Sequence, residues 1–266
     1  MSKIAMDTTK RIVTKEYAKA GFRQAIVSEW TKLISVRSTV WTTAFMMAAI
    51  LGIAVFVGAT ESLQPDDTVL GGGLTGAGQG LIAAAIIGVL SISGEYGSGL
   101  IRTTFTANPR RVTVLAAKGA VIAASMFVVA LVTCFLAYEI GNVMLSGKGY
   151  APGEPMPALF GLALFFSVIG VLGLAIGAML RHSAGAITTI FGIVLVPSLI
   201  GPLFGDLERW IVGGSPLVAL QKMAQSSDAA SEVAGSLGAW PSVGMVGAYS
   251  TVALIAAAVV IKRRDA

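Results

Sequence analysis

Residues that build most catalytic and metal sites are nearly missing from this sequence. The chain has one cysteine, Cys134, and one histidine, His182, among its 266 residues. A single cysteine cannot form a disulfide within the chain. A single histidine leaves a metal cluster or a Ser/His relay with few ligands or bases to draw on. We therefore predict no catalytic residues, no metal ligands and no enzymatic activity for this chain.

Charged residues are scarce as well. Asp, Glu, Lys and Arg make up 12% of the chain and hydrophobic residues 55%, and the mean hydropathy is +0.80. These values lie outside the usual range of soluble domains, so we predict an all-α integral membrane protein. The net charge of +5 does not indicate nucleic-acid binding, because the basic residues crowd the ends of apolar runs and form no stripe with aromatic residues.

No phosphate-binding loop is evident in the sequence. The glycine-rich run at 71–80, GGGLTGAGQG, has no lysine, and Gly149 follows Lys148 where such a loop needs serine or threonine. Small residues in a membrane helix favour close approach of a neighbouring helix, which is our prediction for this run. Flexibility at the outer end of the helix is the alternative.

Six runs with few charges are long enough to cross a bilayer, which needs about 20 apolar residues. They lie at about 38–59, 70–92, 112–140, 158–180, 183–205 and 242–261. Lys118 and Glu139 fall near the two ends of the third run, and we predict that they mark opposite membrane interfaces; the alternative for Glu139 is a polar cavity. No charge is then left in the middle of a span, which disfavours an ion-coupled carrier.

The basic residues predict the orientation of these spans. If the amino terminus is inside, only Lys148, Arg209 and Lys222 of the 19 lysines and arginines lie outside. Because positive charge is enriched on the cytoplasmic side, we expect a multi-pass protein of the plasma membrane with both termini in the cytoplasm. The charged region 1–37 lacks the short apolar core of a secretory signal, so we expect a cytoplasmic tail and an amphipathic connecting helix there, followed by a six-span domain at 38–266.

An amphipathic helix is predicted just before the first span. Four apolar residues recur there at helical spacing: Phe22, Ile26, Trp30 and Leu33. Arg23, Lys32 and Arg37 fall elsewhere on the helical wheel. We predict that this helix lies in the inner membrane interface with its basic residues toward lipid phosphate. The alternative is a soluble amphipathic helix packed on a partner.

The segment 94–111 predicts the end of one long helix, a short helix and the start of the next long helix. Three glycines near its start let the preceding helix stop and the chain turn. They are Gly94, Gly97 and Gly99. Residues 100–106 have the length of a short helix, with Arg102 on a different side from the apolar residues. Asn108 and Pro109 are typical of an N-cap followed by proline at the first helical position, so a new helix should begin there. An ordinary polar loop is the alternative.

The longest segment expected outside the membrane is 206–241. Ser215 and Pro216 form a helix-start signal that apolar residues follow at helical spacing, and an earlier apolar patch includes Trp210. We predict an external helical segment before the sixth span, with short helices that dip into the outer membrane interface. A partly ordered loop is the alternative.

Two stretches of the sequence resemble a known family. Residues 28–33, SEWTKL, and 36–41, VRSTVW, are similar to the start of permease subunits of actinobacterial type 2 ABC (ATP-binding cassette) exporters. A second set resembles the loop that those permeases place between their second and third spans: Gly94-Glu95-Tyr96, Gly99, Ile101-Arg102-Thr103-Thr104, Pro109, Arg111 and Lys118. The pair Ile34-Ser35 departs from the more basic pair common in the family. The six-span plan extends the resemblance over nearly the whole chain.

The resemblance implies a connecting helix at about 22–37 and a coupling helix within 100–105. It also implies two permease subunits, as a homodimer or with a close paralogue, that work with two separate ATPase subunits. The ATPases would hold ATP and magnesium, and this chain would bind no cofactor. The residues expected to contact the ATPase or to transmit its movements are Glu95, Tyr96, Gly99, Leu100, Ile101, Arg102, Thr103 and Phe105. For Glu95 and Arg102 the alternative is a helix cap and a salt bridge at the membrane interface.

The expected function is ATP-driven export of an apolar or amphipathic substrate of the drug, peptide-antibiotic or lipid class, as in multidrug resistance. The spans offer mainly aliphatic, aromatic and small side chains, which suit such a substrate. Transport against a gradient needs an energy source, and we expect a partner docked on 94–111 to supply it. Two alternatives stay open: a non-transporting membrane anchor or assembly protein, and an ion-coupled carrier.

Overall fold

Helices, and no strands, form the part of the chain that the computed structural model describes, residues 21–63, 67–225 and 237–263. The predicted tail at 1–20, the part of the predicted external segment at 226–236 and the last three residues of the chain lie outside the described residues. The α-helices of the described residues are α1 Phe22–Ser35, α2 Arg37–Thr60, α3 Val69–Leu74, α4 Ala77–Ser98, α5 Leu100–Ala107, α6 Arg111–Leu145, α7 Pro155–Leu180, α8 Ser183–Ile200, α9 Glu208–Gly213, α10 Pro216–Gln225 and α11 Ala239–Arg263. A 3-10 helix, Gly201–Leu207, joins α8 to α9.

Six helical stretches of the described chain are long and apolar enough to cross a membrane, the number predicted from the sequence. They are Arg37–Thr60, Val69–Ser98, Arg111–Leu145, Pro155–Leu180, Ser183–Gly205 and Ala239–Arg263. The third is the longest. At about 1.5 Å per residue its 35 residues extend about 50 Å, against about 30 Å for the apolar core of a bilayer. A bilayer around the bundle would therefore leave parts of α6 beyond its apolar core.

Helix α7 forms the centre of the bundle. It packs against α4, α6 and α11, and 78% of its most apolar stretch is buried. The corresponding stretches of α2 and α11 are only 22% buried, and their outer faces carry large exposed apolar side chains such as Phe45 and Ile255. Extended exposed apolar surface of this kind marks contact with a membrane or with other proteins.

Glycines bring α4 into backbone contact with its neighbours. A Cβ atom added at Gly88 would lie 2.0 Å from the carbonyl oxygen of Gly170 in α7. This is far below the contact distance of heavy atoms, so a side chain at Gly88 requires the two helices to move apart. In the glycine-rich run, a Cβ at Gly76 would lie 2.7 Å from the carbonyl oxygen of Ile50 in α2. The run at 71–80 therefore allows the close approach of helices that its composition predicts.

The bundle has two ends with different charged residues. One end, here called the α5 end, carries α1, α5, the turn between α7 and α8 and the last turn of α11. There the guanidinium of Arg111 donates to the carbonyl oxygen of Ile261 at 3.3 Å, joining α6 to α11. At the opposite end Lys148 forms an ion pair with Glu61 at 2.8 Å. Arg111 and Lys148, predicted on opposite sides of the membrane, thus lie at opposite ends of the bundle.

Helix α5 is the short helix predicted after the glycines. Gly99 has a positive φ of 75°, a conformation that favours glycine, and it separates α4 from α5. The predicted restart at Pro109 is wrong by two residues, since α6 begins at Arg111. The side chain of Asn108 accepts a hydrogen bond from the N–H of Arg110 at 3.2 Å. However, the ψ of 74° at Arg110 is not helical, so the helix starts only after it.

At the opposite end, the short helices predicted before the last span are present. Helix α10 begins at Pro216, directly after Ser215, and α9 contains Trp210. Leu220 and Met223 of α10 are buried, and α10 packs on α7. The described part of this segment is therefore folded onto the bundle.

Candidate functional site

Four charged side chains meet inside the bundle near its α5 end. Glu29 and Lys32 come from α1, Glu95 from α4 and Lys118 from α6, and we call this group the charge cluster. Lys118 Nζ donates hydrogen bonds to Glu29 Oε2 and to Glu95 Oε1, the latter at 2.7 Å. Lys32 Nζ donates to Glu29 Oε1 at 2.7 Å and to Glu95 Oε1 at 3.1 Å. Each ammonium group therefore bridges the same two carboxylates.

Three members of the charge cluster are shielded from solvent. Glu29 and Lys118 are each 4% exposed, and Glu95 is 7% exposed. Burial of an unpaired charge is costly, and the two carboxylates and two ammonium groups together carry no net charge. Oε2 of Glu95 is buried without a hydrogen-bond partner among the described residues. The cluster is thus balanced in charge but one donor short of complete hydrogen bonding.

Lys32 is the most accessible member of the charge cluster, with 23% of its side chain exposed. Loss of water around the ammonium group by itself lowers the pKa of Lys32. The hydrogen bond to Glu29 and the attraction of Glu95 and Glu29 outweigh this effect, so the pKa is raised above its ordinary value of 10.5. Lys32 is therefore positively charged at physiological pH.

The structure shows the surroundings of three charged residues and corrects the prediction for one of them, Lys32. Lys118, predicted at a membrane interface, is buried within the protein, about 10 Å along α6 from Arg111 at 1.5 Å per residue. Lys32 points into the bundle and not toward lipid phosphate, because α1 turns this side to α4 and α6. Glu139, predicted at the opposite interface, is half-buried in α6, and its place in the membrane stays a prediction. The sequence signal for the site was a lone lysine in an apolar run, which needs a partner; its partner Glu29 lies 89 positions away.

Helix α1 does not turn its whole predicted apolar stripe to one side. Glu29 is buried and Leu33 packs against the core, and Ile26 is half-buried. Phe22 and Trp30 are 49% and 48% exposed. The stripe is therefore divided: part of it packs on the bundle next to the charge cluster, and part faces outward, where lipid or a partner can cover it.

The charge cluster also holds α5 in place. Lys32 Nζ donates a hydrogen bond to Thr104 Oγ1 at 3.1 Å, and Ile101 is only 3% exposed. Phe105 is half-buried, with the guanidinium carbon of Arg111 5.3 Å from its ring centre. The inner side of α5 is thus fixed by a hydrogen bond, an apolar contact and a cation–π contact.

The eight residues predicted for partner contact divide into two groups in the structure. The exposed ones are Gly99, Leu100, Arg102 and Thr103. The buried or half-buried ones are Glu95, Tyr96, Ile101 and Phe105. Tyr96 is covered by the guanidinium of Arg181, whose carbon lies 5.0 Å from the ring centre. The exposed group is available to a partner as it stands, whereas the buried group packs against other residues of the bundle.

A cavity of about 410 Å³ adjoins the charge cluster. All four cluster residues line it, together with apolar side chains of α1, α4 and α6 that include Leu33, Leu90 and Ile122. Exposed residues such as Val36 and Leu100 also line this cavity, so it is a cleft that opens to the surroundings and not an enclosed void.

No protein-family model matches the chain, and no curated protein matches it. The class of this protein is therefore described from its structure alone. It is a helical protein with six helices long and apolar enough to cross a membrane, and a buried, charge-balanced cluster ties α1 and α5 to the bundle.

Proposed function

We propose that this chain is the membrane-spanning permease subunit of an ABC exporter, driven by a separate ATPase that docks on α5. One observation carries the proposal. Lys32 bonds Thr104 of α5 to the charge cluster, and the cluster in turn joins α1, α4 and α6. A push on the exposed side of α5 would therefore be transmitted to three helices together and would not be lost in a loop.

The orientation in the membrane is part of the proposal. The six apolar stretches support insertion, and the bias of lysine and arginine toward the α5 end supports a cytoplasmic location for that end. Both termini would then lie in the cytoplasm, with the protein in the plasma membrane. The outward-facing Phe22 and Trp30 of α1 would lie at headgroup depth, as aromatic residues of interfacial helices do.

The proposed complex has two permease copies and two ATPase copies, and the ATPases hold ATP and magnesium. ATP binding would favour one arrangement of the ATPases, and their different contacts with α5 would bias the bundle between its conformations. The substrate is proposed to be apolar or amphipathic, of the drug, peptide-antibiotic or lipid class. This class suits the least buried stretches, those of α2, α8 and α11, which expose aliphatic and aromatic side chains.

Photo-crosslinking from α5 tests the proposal. A photoreactive phenylalanine analogue in place of Arg102 should capture an ATPase subunit in native membranes, because this position is exposed on α5. The same analogue in place of Lys148, at the opposite end of the bundle, is the control and should capture none. The complex captured from α5 should hydrolyse ATP, whereas the purified chain should not. Thr103, also exposed on α5, is a second position for the analogue. The docking proposal would be refuted if neither Arg102 nor Thr103 captured an ATPase, or if only Lys148 did. Capture of a partner without ATPase activity would favour a membrane anchor.

An ion-coupled carrier is the second candidate, and the burial of Lys118 with two carboxylates favours it. Ionisable groups inside a membrane bundle are typical of proton pathways. Proteoliposomes that contain this chain alone, with pyranine trapped inside and a pH gradient applied, would then show proton flux that Lys118→Met removes and Lys148→Met leaves intact. A permease driven by a separate ATPase should show no such flux.

A further inference from the structure

A second concentration of positive charge lies at the α5 end, apart from the charge cluster. Arg110 and Arg111 at the start of α6 and Lys262 near the end of α11 line one pocket of about 300 Å³, together with Pro109 and Val112. Arg110 and Lys262 are exposed, and the ion pairs of the described residues include neither of them. Like charges in one pocket repel each other, so the pocket favours an anion.

The walls of this pocket are held in place. The guanidinium of Arg111 donates to the carbonyl oxygen of Ile261 at 3.3 Å and lies over the ring of Phe105. These contacts fix the start of α6 against α11 and α5. At the start of α6 the N–H groups of Arg110 and Arg111 already donate to Asn108 Oδ1 and to the carbonyl oxygen of Pro109. The donors left for a ligand are the N–H groups of Val112 and Thr113, which lie at the positive end of the helix dipole. Both features attract a phosphate group.

The pocket lies where charged surface gives way to apolar surface. Lys262 is the first charged residue after the uncharged stretch 239–261. Val112 in the pocket is 45% exposed, and Val259, one helical turn before Lys262, is 44% exposed. A free anion or an acidic side chain of a protein would satisfy only the charge. An anion that carries an apolar chain would cover both valines.

We propose that this pocket binds the phosphate of an anionic phospholipid, with an acyl chain along Val112 and Val259. Arg110 and Lys262 supply the charge, and the first turn of α6 supplies backbone N–H donors. The inference rests on the membrane placement in the proposed function, but it does not depend on the ATPase. It adds a defined lipid site to the general attraction between basic residues and an anionic leaflet.

Native mass spectrometry of the full chain, stripped of lipid in a neutral detergent, tests this site. Added phosphatidylglycerol should bind one copy per chain more tightly than phosphatidylcholine. The variant Arg110→Gln with Lys262→Gln should bind that copy roughly 10- to 30-fold more weakly. The control, Arg102→Gln with Lys148→Gln, removes the same charge from exposed positions elsewhere and should keep the tight copy. The single variant Arg110→Gln should show an intermediate loss and replaces the double variant if the latter does not fold.

Four results would overturn the lipid site. Equal binding of phosphatidylglycerol and phosphatidylcholine would show that the headgroup is not recognised. An equal loss of binding in the control variant would show that binding depends on the overall charge of the chain and not on this pocket. Displacement of phosphatidylglycerol by an equal concentration of inorganic phosphate would mean a site for free phosphate. Unchanged lipid binding with loss of a co-purifying ATPase would mean a protein contact. Flotation of the chain with liposomes checks the membrane placement separately, so failure of the site and failure of the proposed function are distinguishable.

Discussion

Lys118→Met should be one of the most damaging single substitutions in the described chain. It removes the ammonium group that Glu29 and Glu95 share and leaves both buried carboxylates with Lys32 alone. Breaking a buried ion pair by removal of one partner costs about 3–5 kcal/mol. We expect the free energy of unfolding to fall by about this amount, because Glu29 and Glu95 are 4% and 7% exposed and keep only Lys32 as a partner.

A second substitution separates charge balance from packing. Glu95→Gln alone leaves one excess positive charge in the cluster and should cost about as much as Lys118→Met alone. Glu95→Gln together with Lys118→Met leaves Glu29 paired with Lys32 and restores neutrality. Interaction free energies between groups of one network reach about 3 kcal/mol. The double variant should therefore lose at least about 2 kcal/mol less than the two single variants added together.

Unfolding by sodium dodecyl sulfate in mixed micelles, followed by tryptophan fluorescence, measures these differences. Lys148→Met is the matched control, because Lys148 pairs with Glu61 on an exposed surface and such pairs contribute about 1 kcal/mol or less. Strictly additive losses in the double variant would refute the view that the four groups act as one neutral unit. A Lys118→Met variant as stable as the Lys148→Met control would refute it as well.

Gly88→Ala should force α4 and α7 apart and lower the free energy of unfolding by about 1–3 kcal/mol. The control is Gly78→Ala, whose Cβ would meet nothing within 4 Å and which should raise the free energy of unfolding by up to about 1 kcal/mol. Equal effects of the two variants in the same detergent titration would contradict the close approach of the helices. Thr104→Val removes a hydrogen bond from Lys32 and should speed hydrogen exchange of α5 amides about fivefold. Thr103→Val should not, because the hydroxyl of Thr103 bonds only within its own helix. Equal exchange rates in the two variants would show that the hydrogen bond from Lys32 does not hold α5. Because the pKa of Lys32 is raised from 10.5, its stabilising contribution is present below that value and is lost as the pH rises through the pKa of the folded state. The stability difference between the unaltered chain and Lys32→Met should be constant from about pH 6 to 9 and shrink above about 10.5, and a difference that grows with pH would contradict the assignment.

The elements predicted from the sequence are those with local signals. Each apolar stretch carries its own length and hydropathy, so the six candidate spans could be read one at a time. Gly99 marked the end of α4, because a positive φ is a property of one residue. The start of α6 was missed because it depends on the ψ of Arg110, and the Asn108-Pro109 pair also fits an ordinary turn.

The charge cluster was predictable only in part. Lys118 in an apolar run calls for a carboxylate, and Glu29 and Lys32 have the spacing of neighbours on one helix face. Their meeting with Glu95 depends on how α1 packs against α6 and so brings Lys32 within reach of α4. A helical wheel gives the sides of α1 but not the side that turns inward, so Lys32 was assigned to lipid phosphate although it points into the bundle.

The pairing of two carboxylates with two ammonium groups bears on voltage. Displacement of one net elementary charge through a potential of 100 mV involves about 2.3 kcal/mol of electrical work. Glu29, Lys32, Glu95 and Lys118 sum to zero charge, so they can travel as one body across the field without such work. Movement of the charge cluster as one body should therefore add no voltage dependence, so any effect of membrane potential on the rearrangement of α1 and α5 comes from other charged residues, such as Arg23 and Arg102.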